Sequence, residues 1–436
     1  MENLLNFIKK SPTAFHACKN ICDILNENGF TYLSEGKKWS LNKGGKYYVT
    51  RNSSCVMAFT IPNNVDELSY NITAAHLDSP TLKLKPNFSL QTDRYIKLNT
   101  EVYGGPILNT WMDRPLNIAG RVIIKEDNKL LTKLISFDKP MVVIPNCSIH
   151  YYSELNSGVK LNPQVDLLPL FCDKSIGSVD LYDLISKKLN VKRDSIVSSD
   201  LYLAILDRGT LCGANDEFIV APQIDNLECA LGVLEGFLNA KNDLSVNVCC
   251  EFDNEEIGSR TRQGAASTML SDVLERISSS LGKDMEEHKM ALANSFIVSA
   301  DNAQGFHPNY PQKFDPTNAS FMNKGIVIKN AARGSYTTDG MSLAYFINVC
   351  DNAKAMYQLN TNRSDMPGGS TLGAISLGHV SIPSVDIGLP QIAMHSACET
   401  AGAFDYAELK KAINKFYDMH ITIECDGLFS IKWHFF

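Results

Sequence analysis

The stretch Ser245-Val246-Asn247-Val248-Cys249-Cys250-Glu251-Phe252-Asp253-Asn254-Glu255-Glu256 decides the fold. A run of strand-forming residues stops abruptly at a cluster of acids. The same design recurs along the chain. Residues 70–75 run into His76-Leu77-Asp78, residues 296–298 into Ser299-Ala300-Asp301, and residues 391–394 into His395. Between these strands lie stretches with apolar residues at helical spacing. One is 226–240, where Leu227, Ala230, Leu231, Leu234 and Leu238 share a face; others are 264–281, 341–350 and 405–417. Further strands are expected at 325–328 and 385–388. Strands alternating with helices of this length predict an α/β sheet with helices on its faces.

N-terminal to this region, Ser11-Pro12 opens a helical pattern through Ala14, Ala17, Cys18, Ile21 and Leu25, which Gly29 closes. Strands are expected at 47–50 and 55–61. From about Pro86 the texture changes. Segments 94–98, 121–125 and 201–206 read as strands, Asp127-Asn128 as a hairpin turn between 122–124 and 130–134, and 180–189 as one helix. This β-rich stretch, residues 87–216, reads as a module inserted into a domain made of residues 1–86 and 217–436. Residues 421–436, ending Trp433-His434-Phe435-Phe436, carry no assigned role.

Composition sets outer limits. The chain has 436 residues, 44% hydrophobic and 20% charged, which excludes disordered and collagen-like classes. Lys+Arg 41 against Asp+Glu 48 gives a net charge of −7 with no basic block, so nucleic acid is not an expected partner. No apolar run approaches the ~18 residues that span a bilayer, so no membrane partner is expected either. Met1-Glu2-Asn3 lacks the basic start and apolar core of a signal peptide, and the cytoplasm is the expected location. The 12 cysteines are scattered and form no Cys-x-x-Cys, which suits small buried hydrophobes in a reducing compartment.

In open α/β sheets, ligands bind beyond the carboxyl ends of the strands. His76, Glu255-Glu256, Asp301 and His395 all stand there, and Asp225 stands directly before a helix. Brought to one edge, five such residues can hold two cations. If one carboxylate bridges, each ion has three protein ligands and an open position for a shared water. An ion pair of that kind lowers the pKa of the water and polarises a carbonyl. Mixed imidazole and carboxylate donors suit zinc, with manganese and cobalt as alternatives. Asp78, two residues from His76, is placed to accept the second imidazole N–H. One of Glu255 and Glu256 can bind metal while the other stays free as a general base. Each residue taken singly has a plainer reading: a structural histidine, a helix cap at Asp225, a solvated turn at Glu255-Glu256. The spacing matches no local His-Glu-x-x-His motif, and phosphate-loop, dinucleotide and serine-hydrolase signatures are absent.

With these residues in place, the sequence resembles the aspartyl aminopeptidase family of dinuclear zinc exopeptidases over nearly its whole length. The shared motifs begin with Ser11-Pro12-Thr13-Ala14-Phe15-His16-Ala17, Ala75-His76-Leu77-Asp78-Ser79-Pro80 and Ile224-Asp225-Asn226-Leu227. They continue with Asn254-Glu255-Glu256-Ile257-Gly258-Ser259, Ser299-Ala300-Asp301, His307-Pro308-Asn309-Tyr310 and Ala393-Met394-His395-Ser396. The resemblance implies an α/β fold whose mixed central sheet is flanked by helices, with an inserted β-rich dimerisation domain. It implies two divalent ions per subunit, zinc foremost, with His76 and Asp301 on one, Glu256 and His395 on the other, and Asp225 bridging. Glu255 falls at the general base and Asp78 at the acid that orients His76. His150 matches a histidine that reaches the active site of the partner subunit. Lys329 matches a lysine that pairs with an acidic substrate side chain. Gln304 stands where relatives carry histidine, and Gly368 where they often carry cysteine.

The expected activity is release of an N-terminal residue, Asp or Glu favoured, from short peptides. The expected assembly is a homo-oligomer of dimers, which in the family often builds dodecamers. Two alternatives stay open: a preference for neutral N-terminal residues, and a non-catalytic assembly or cargo protein that keeps the fold.

Overall fold

The opening stretch forms the strand Val246–Phe252, buried along its whole length. In the computed structural model, which describes residues 1–424 and 430–435 except 208, 367, 370 and 377, this strand lies near the middle of a nine-stranded sheet. It pairs in parallel with Tyr70–His76, which pairs in parallel with Phe296–Ala300 on its other side. Beyond Val246–Phe252 come Cys55–Thr60 and Lys46–Arg51, both antiparallel, then the short Thr31–Tyr32. Beyond Phe296–Ala300 come Ser384–Gly388 in parallel, Ile326–Asn330 antiparallel to it, and Tyr357–Thr361 at the edge. The sheet is therefore mixed, with helices on both faces.

Successive side chains on a strand point to opposite faces, and here both faces are covered. Val246, Val248, Cys250 and Phe252 enter an apolar cluster with the helices Met269–Ser280 and Met285–Ala293. Cys249 enters the opposite cluster, together with the helices Ala14–Glu27, Ile224–Leu238, Gly340–Ala353 and Asp405–Tyr417. Helix Ile224–Leu238 sits close against Asp405–Tyr417 because Gly232 and Gly236 face it. A Cβ there would lie 2.7 Å from Leu409 Cδ2 and 2.6 Å from Ile413 Cγ2 respectively. This contact fixes the helix that begins at Asp225.

A second sheet closes on itself. Pro115–Glu126 pairs with Ile196–Ile205, which pairs with Thr81–Gln91, then Tyr95–Tyr103, Leu170–Asp173, Val142–Val143 and back to Pro115–Glu126. Closure of this kind removes exposed strand edges. Leu82, Leu98, Leu116, Ile118, Leu201 and Leu203 belong to its own core, which helix Leu181–Leu189 joins through Leu181 and Ile185. The side chain of Asp180 caps that helix by accepting from Tyr182 N–H. The ring's strands run from residue 81 to residue 205, so the barrel leaves the chain five residues after His76.

A five-stranded sheet joins Thr210–Cys212, Phe218–Ala221, Glu399–Gly402, Pro390–Ile392 and Ala303–Gln304. It sets residue 399 opposite Ala221. Some elements depart from the sequence expectation. The helix expected from 264 begins at Met269, because Gly264 packs against the Ser259 main chain in a turn. The strand expected over 392–394 ends at Ile392, since Ala393 and His395 take left-handed φ values of 58° and 68°. Helix Glu2–Lys10 was not foreseen. Strands Met419–Glu424 and Ser430–Phe435 form a terminal hairpin, with the Trp433 ring 6.3 Å from that of Tyr345. Cys425 and Phe436 lie outside the described residues. The described cysteines are all free, and no helix among the described residues is long and apolar enough to cross a membrane.

Candidate metal centre

The carboxyl edge of the central strands gathers the predicted residues. His76 is the last residue of Tyr70–His76, and Asp301 follows Phe296–Ala300 directly. Glu255 and Glu256 open a single 3-10 turn just past Val246–Phe252, entered through the left-handed Asn254. Asp225 stands in the first turn of Ile224–Leu238 with non-helical backbone, and its peptide bond to Asn226 is cis. His395 sits in the loop after Pro390–Ile392.

Asp225 is at the centre. One of its oxygens, Oδ1, lies 3.5 Å from His76 Nε2, and the other, Oδ2, lies 3.5 Å from His395 Nε2. His76 Nε2 is also 3.7 Å from Asp301 Oδ1, and His395 Nε2 is 3.4 Å from Glu256 Oε2. Both imidazoles are oriented alike. His76 Nδ1–H donates to the Asp78 carbonyl at 3.1 Å, and His395 Nδ1–H donates to the Gly105 carbonyl at 3.1 Å. With Nδ1 spent on a main-chain acceptor, Nε2 keeps its lone pair for a ligand.

Asp78 faces both His76 and the glutamate turn. Its carboxylate stands 3.5 Å from His76 Nδ1, and its own carbonyl is nearer at 3.1 Å. The carboxylate also accepts from Glu255 N–H at 3.0 Å, Glu256 N–H at 3.2 Å and the Tyr103 hydroxyl at 2.7 Å. Asp78 therefore clamps the turn that presents the two glutamates.

The charge balance calls for cations. Asp78, Asp225 and Asp301 are buried, and Glu255 and Glu256 are largely so. Among the described ion pairs of these acids, Lys329 is the one ammonium, 3.9 Å from Asp301 Oδ2. Burial, reinforced by the charges of Asp301, Asp78 and Asp225 against the pull of His76, pushes Glu255 up to about 7. Burial, then Asp225, holds Glu256 well above the usual carboxylate range. For His76 burial pulls downward, yet contacts with Asp225, Asp301 and Asp78 lift it well above an ordinary imidazole. Asp225 Oδ1 and Glu256 Oε1 are buried with no hydrogen-bond partner. Unpaired buried acid oxygens are costly, and divalent cations would satisfy them. Asp225, Glu256 and His76 also offer ligand atoms within 4.8 Å of one another, a spacing that suits metal binding around Asp225.

The other predicted residues divide. Lys329 is buried, and its Nζ donates to the Asn302 carbonyl at 2.9 Å and lies 5.5 Å from the Tyr336 ring. Burial pulls it down, but Asp301 and then Tyr336 outweigh this and keep it charged. Gln304 is exposed, with Nε2 3.1 Å from Met394 Sδ. Both line a cleft of about 440 Å³, shared with Asp225, Glu255, Glu256, Asp301 and His395. His150 is exposed on the barrel module and does not line that cleft.

Residues that sequence reasoning missed also hold the site. Glu399 is buried and accepts from Asp225 N–H at 3.0 Å and from His395 N–H at 2.6 Å. The barrel module contributes Tyr103 and Gly105, and Ile107 N–H donates to the His395 carbonyl at 2.9 Å. The only signal in the sequence was proximity: Glu399 lies four residues past His395.

Known proteins are similar to the chain over nearly its whole length. A family model described as aminopeptidase I zinc metalloprotease (M18) matches residues 7–417. A relative in Clostridium novyi (strain NT), named "Probable M18 family aminopeptidase 2", is 47% identical over 425 residues, covering 96% of this chain and 98% of its own. Among solved structures, a chain of the Ape4 and Nbr1 complex matches with TM-score 0.91 and 33% identity, over 95% of this chain and 84% of that one. The mApe1 dodecamer of S. cerevisiae matches with TM-score 0.83 and 26% identity, over 95% of each chain.

Proposed function

The chain belongs to the M18 family of zinc aminopeptidases, and from that premise we propose a two-cation hydrolase that releases the N-terminal residue of short peptides. One observation carries the two-cation reading: the carboxylate oxygens of Asp225 face two different imidazoles, each at 3.5 Å. His76, Asp225 and Asp301 would hold one ion; His395, Asp225 and Glu256 would hold the other. Zinc suits this donor set best, with manganese and cobalt as alternatives. When bound, the ions supply Lewis acidity that activates a water and polarises the scissile carbonyl. Glu255 is assigned to neither ion. It takes the proton of the attacking water at its carboxylate and returns it to the leaving amine. Asp78 holds Glu255 in place through the main-chain N–H and steadies His76 through its own carbonyl.

In the cleft, the Lys329 ammonium offers a cation to an N-terminal Asp or Glu side chain. Gln304 adds hydrogen bonds without charge. The inserted barrel is proposed as the dimerisation module. Exposed Ile149, Tyr151 and Tyr152 flank His150 there, an apolar surface that a partner subunit would cover while receiving the histidine. The proposed assembly is a dodecamer, the state of the yeast relative, built here from such dimers. Free cysteines throughout the described residues support a reducing, cytoplasmic setting.

A panel of aminoacyl-nitroanilides tests the reading, run on protein stripped of metal and reloaded with zinc, manganese or cobalt. Activity should vanish on stripping, return with two ions per chain, and favour acidic N-terminal residues. Lys329→Met should flatten that preference. Cleavage of N-acetylated peptides would refute an aminopeptidase. A panel that prefers Leu or Met would leave the hydrolase standing and move its specificity to neutral residues.

A further inference from the structure

Resting on the two-ion reading above, we infer that Glu399 is a positioning residue that sets the half-site formed by Asp225, Glu256 and His395. The two half-sites are held by different means. His76 ends a seven-residue strand and still pairs with Phe252 across the sheet. Asp301 extends the same framework, its N–H donating to the Ile387 carbonyl at 3.0 Å. The sheet ladder therefore fixes that pair without help. Neither Asp225 nor His395 has such support. Asp225 has φ −77° and ψ 107° inside a helical turn, and His395 has φ 68°, a left-handed value that costs a non-glycine residue energy.

The Glu399 carboxylate joins these two irregular positions. Oε2 accepts from Asp225 N–H at 3.0 Å and Oε1 from His395 N–H at 2.6 Å. Strand pairing of residue 399 with Ala221 places the side chain between the two loops. The two residues that Glu399 binds are those whose side chains meet at Asp225 Oδ2 and His395 Nε2, 3.5 Å apart. A glutamate does this because both of its oxygens accept. A glutamine has one acceptor oxygen, so its amide nitrogen would face the second N–H donor to donor. With both oxygens occupied by main-chain N–H groups, Glu399 acts through the ligands it holds.

The experiment is zinc titration of metal-stripped, full-length protein by calorimetry, with melting temperature recorded alongside. Wild type should bind two ions. Because Asp225 is shared, Glu399→Gln should weaken both ions to some degree, and the ion held with His395 and Glu256 by at least ~10-fold more than the other, the scale seen when a residue supporting metal ligands is lost. High zinc should restore that ion and kcat with it. Asp405→Asn is the comparator. Asp405 is a buried acid that likewise accepts two main-chain N–H groups, from Asn323 at 2.6 Å and Gly325 at 2.7 Å, outside the site. It should lower the melting temperature and leave both zinc affinities intact. If Glu399→Gln does not fold, Glu399→Asp replaces it; too short to span both N–H groups, it should show the same selective loss. Two wild-type affinities in the Glu399 variant, or equal weakening of both, would overturn the assignment. A wild-type protein that binds one ion overturns the two-ion reading itself, and the assignment with it.

Discussion

Tyr103→Phe removes one oxygen and should disable the site without removing metal. The Tyr103 hydroxyl donates to Asp78 Oδ2 at 2.7 Å and accepts from Asn254 Nδ2 at 2.8 Å. Both partners belong to the turn that presents Glu255: Asn254 enters it, and Asp78 binds its N–H groups. A hydrogen bond to a charged group contributes roughly 1.5–3 kcal/mol and a neutral one about 1, so the pair is worth some 3 kcal/mol. If about half of that is expressed as misplacement of Glu255 in the transition state, kcat/KM falls ~10-fold; if nearly all, ~100-fold. The remainder appears as a lower melting temperature. The His76 and His395 contacts do not pass through the hydroxyl, and Glu256 N–H keeps its acceptor on Asp78 Oδ2, so the metal content should stay near wild type. The assay is steady-state kinetics on a preferred aminoacyl-nitroanilide, with metal analysis and thermal melting of the same preparation. A variant that melts lower yet turns over at the wild-type rate would refute the reasoning. It would show that the barrel module props up the fold there and not the geometry of the glutamate.

Two further predictions separate chemistry from scaffold. Glu255→Gln should retain its metal and lose at least ~100-fold in kcat, the usual cost of removing a general base; normal turnover would reject that role. Glu228 is buried one turn after Asp225, with Oε1 unpartnered, and burial raises its carboxyl from 4.5 to about 8. The folded chain thus keeps a proton that the unfolded chain releases, so stability falls as pH rises through that window. The fall is at most ~5 kcal/mol, at ~1.4 per unit. Glu228→Gln has no such dependence, so its melting temperature relative to wild type should climb between pH 5 and pH 8. Parallel curves would refute the assignment.

Much of this architecture was legible in the sequence because it rests on period and position. Apolar runs such as 246–252 and 70–76 announced strands buried on both faces, and a polar residue at the end of each marked the edge where ligands gather. Helix 405–417 read correctly since its apolar face and bounds were both clear. Failures came where backbone geometry overrode pattern. Ala393 looked like a strand residue, yet the loop turns left-handed before His395. Gly264 looked like a helix start, but lies too close to Ser259 for a regular turn. The closure of the barrel was also invisible, because it depends on Pro115–Glu126 pairing with Ile196–Ile205 some 80 residues away.

The same distinction runs through the site. Side chains that face one another across Asp225 are metal-type residues at or a few positions past strand ends, and residue type plus position suggests them. The groups that hold them are mostly main-chain carbonyls and N–H groups, which every residue carries. Gly105 orients His395 through a carbonyl, Asp78 orients His76 in the same way, and Ile107 holds His395 through an amide. No sequence pattern distinguishes these from hundreds of equivalent groups. Their placement follows only once the barrel strand Tyr95–Tyr103 is packed against the glutamate turn, so closely that a Cβ added at Gly104 would lie 3.1 Å from Glu256 Cβ. An alanine at Gly104, where φ is 72°, would strain the backbone and press on Glu256 together. The barrel is thus structurally continuous with the site.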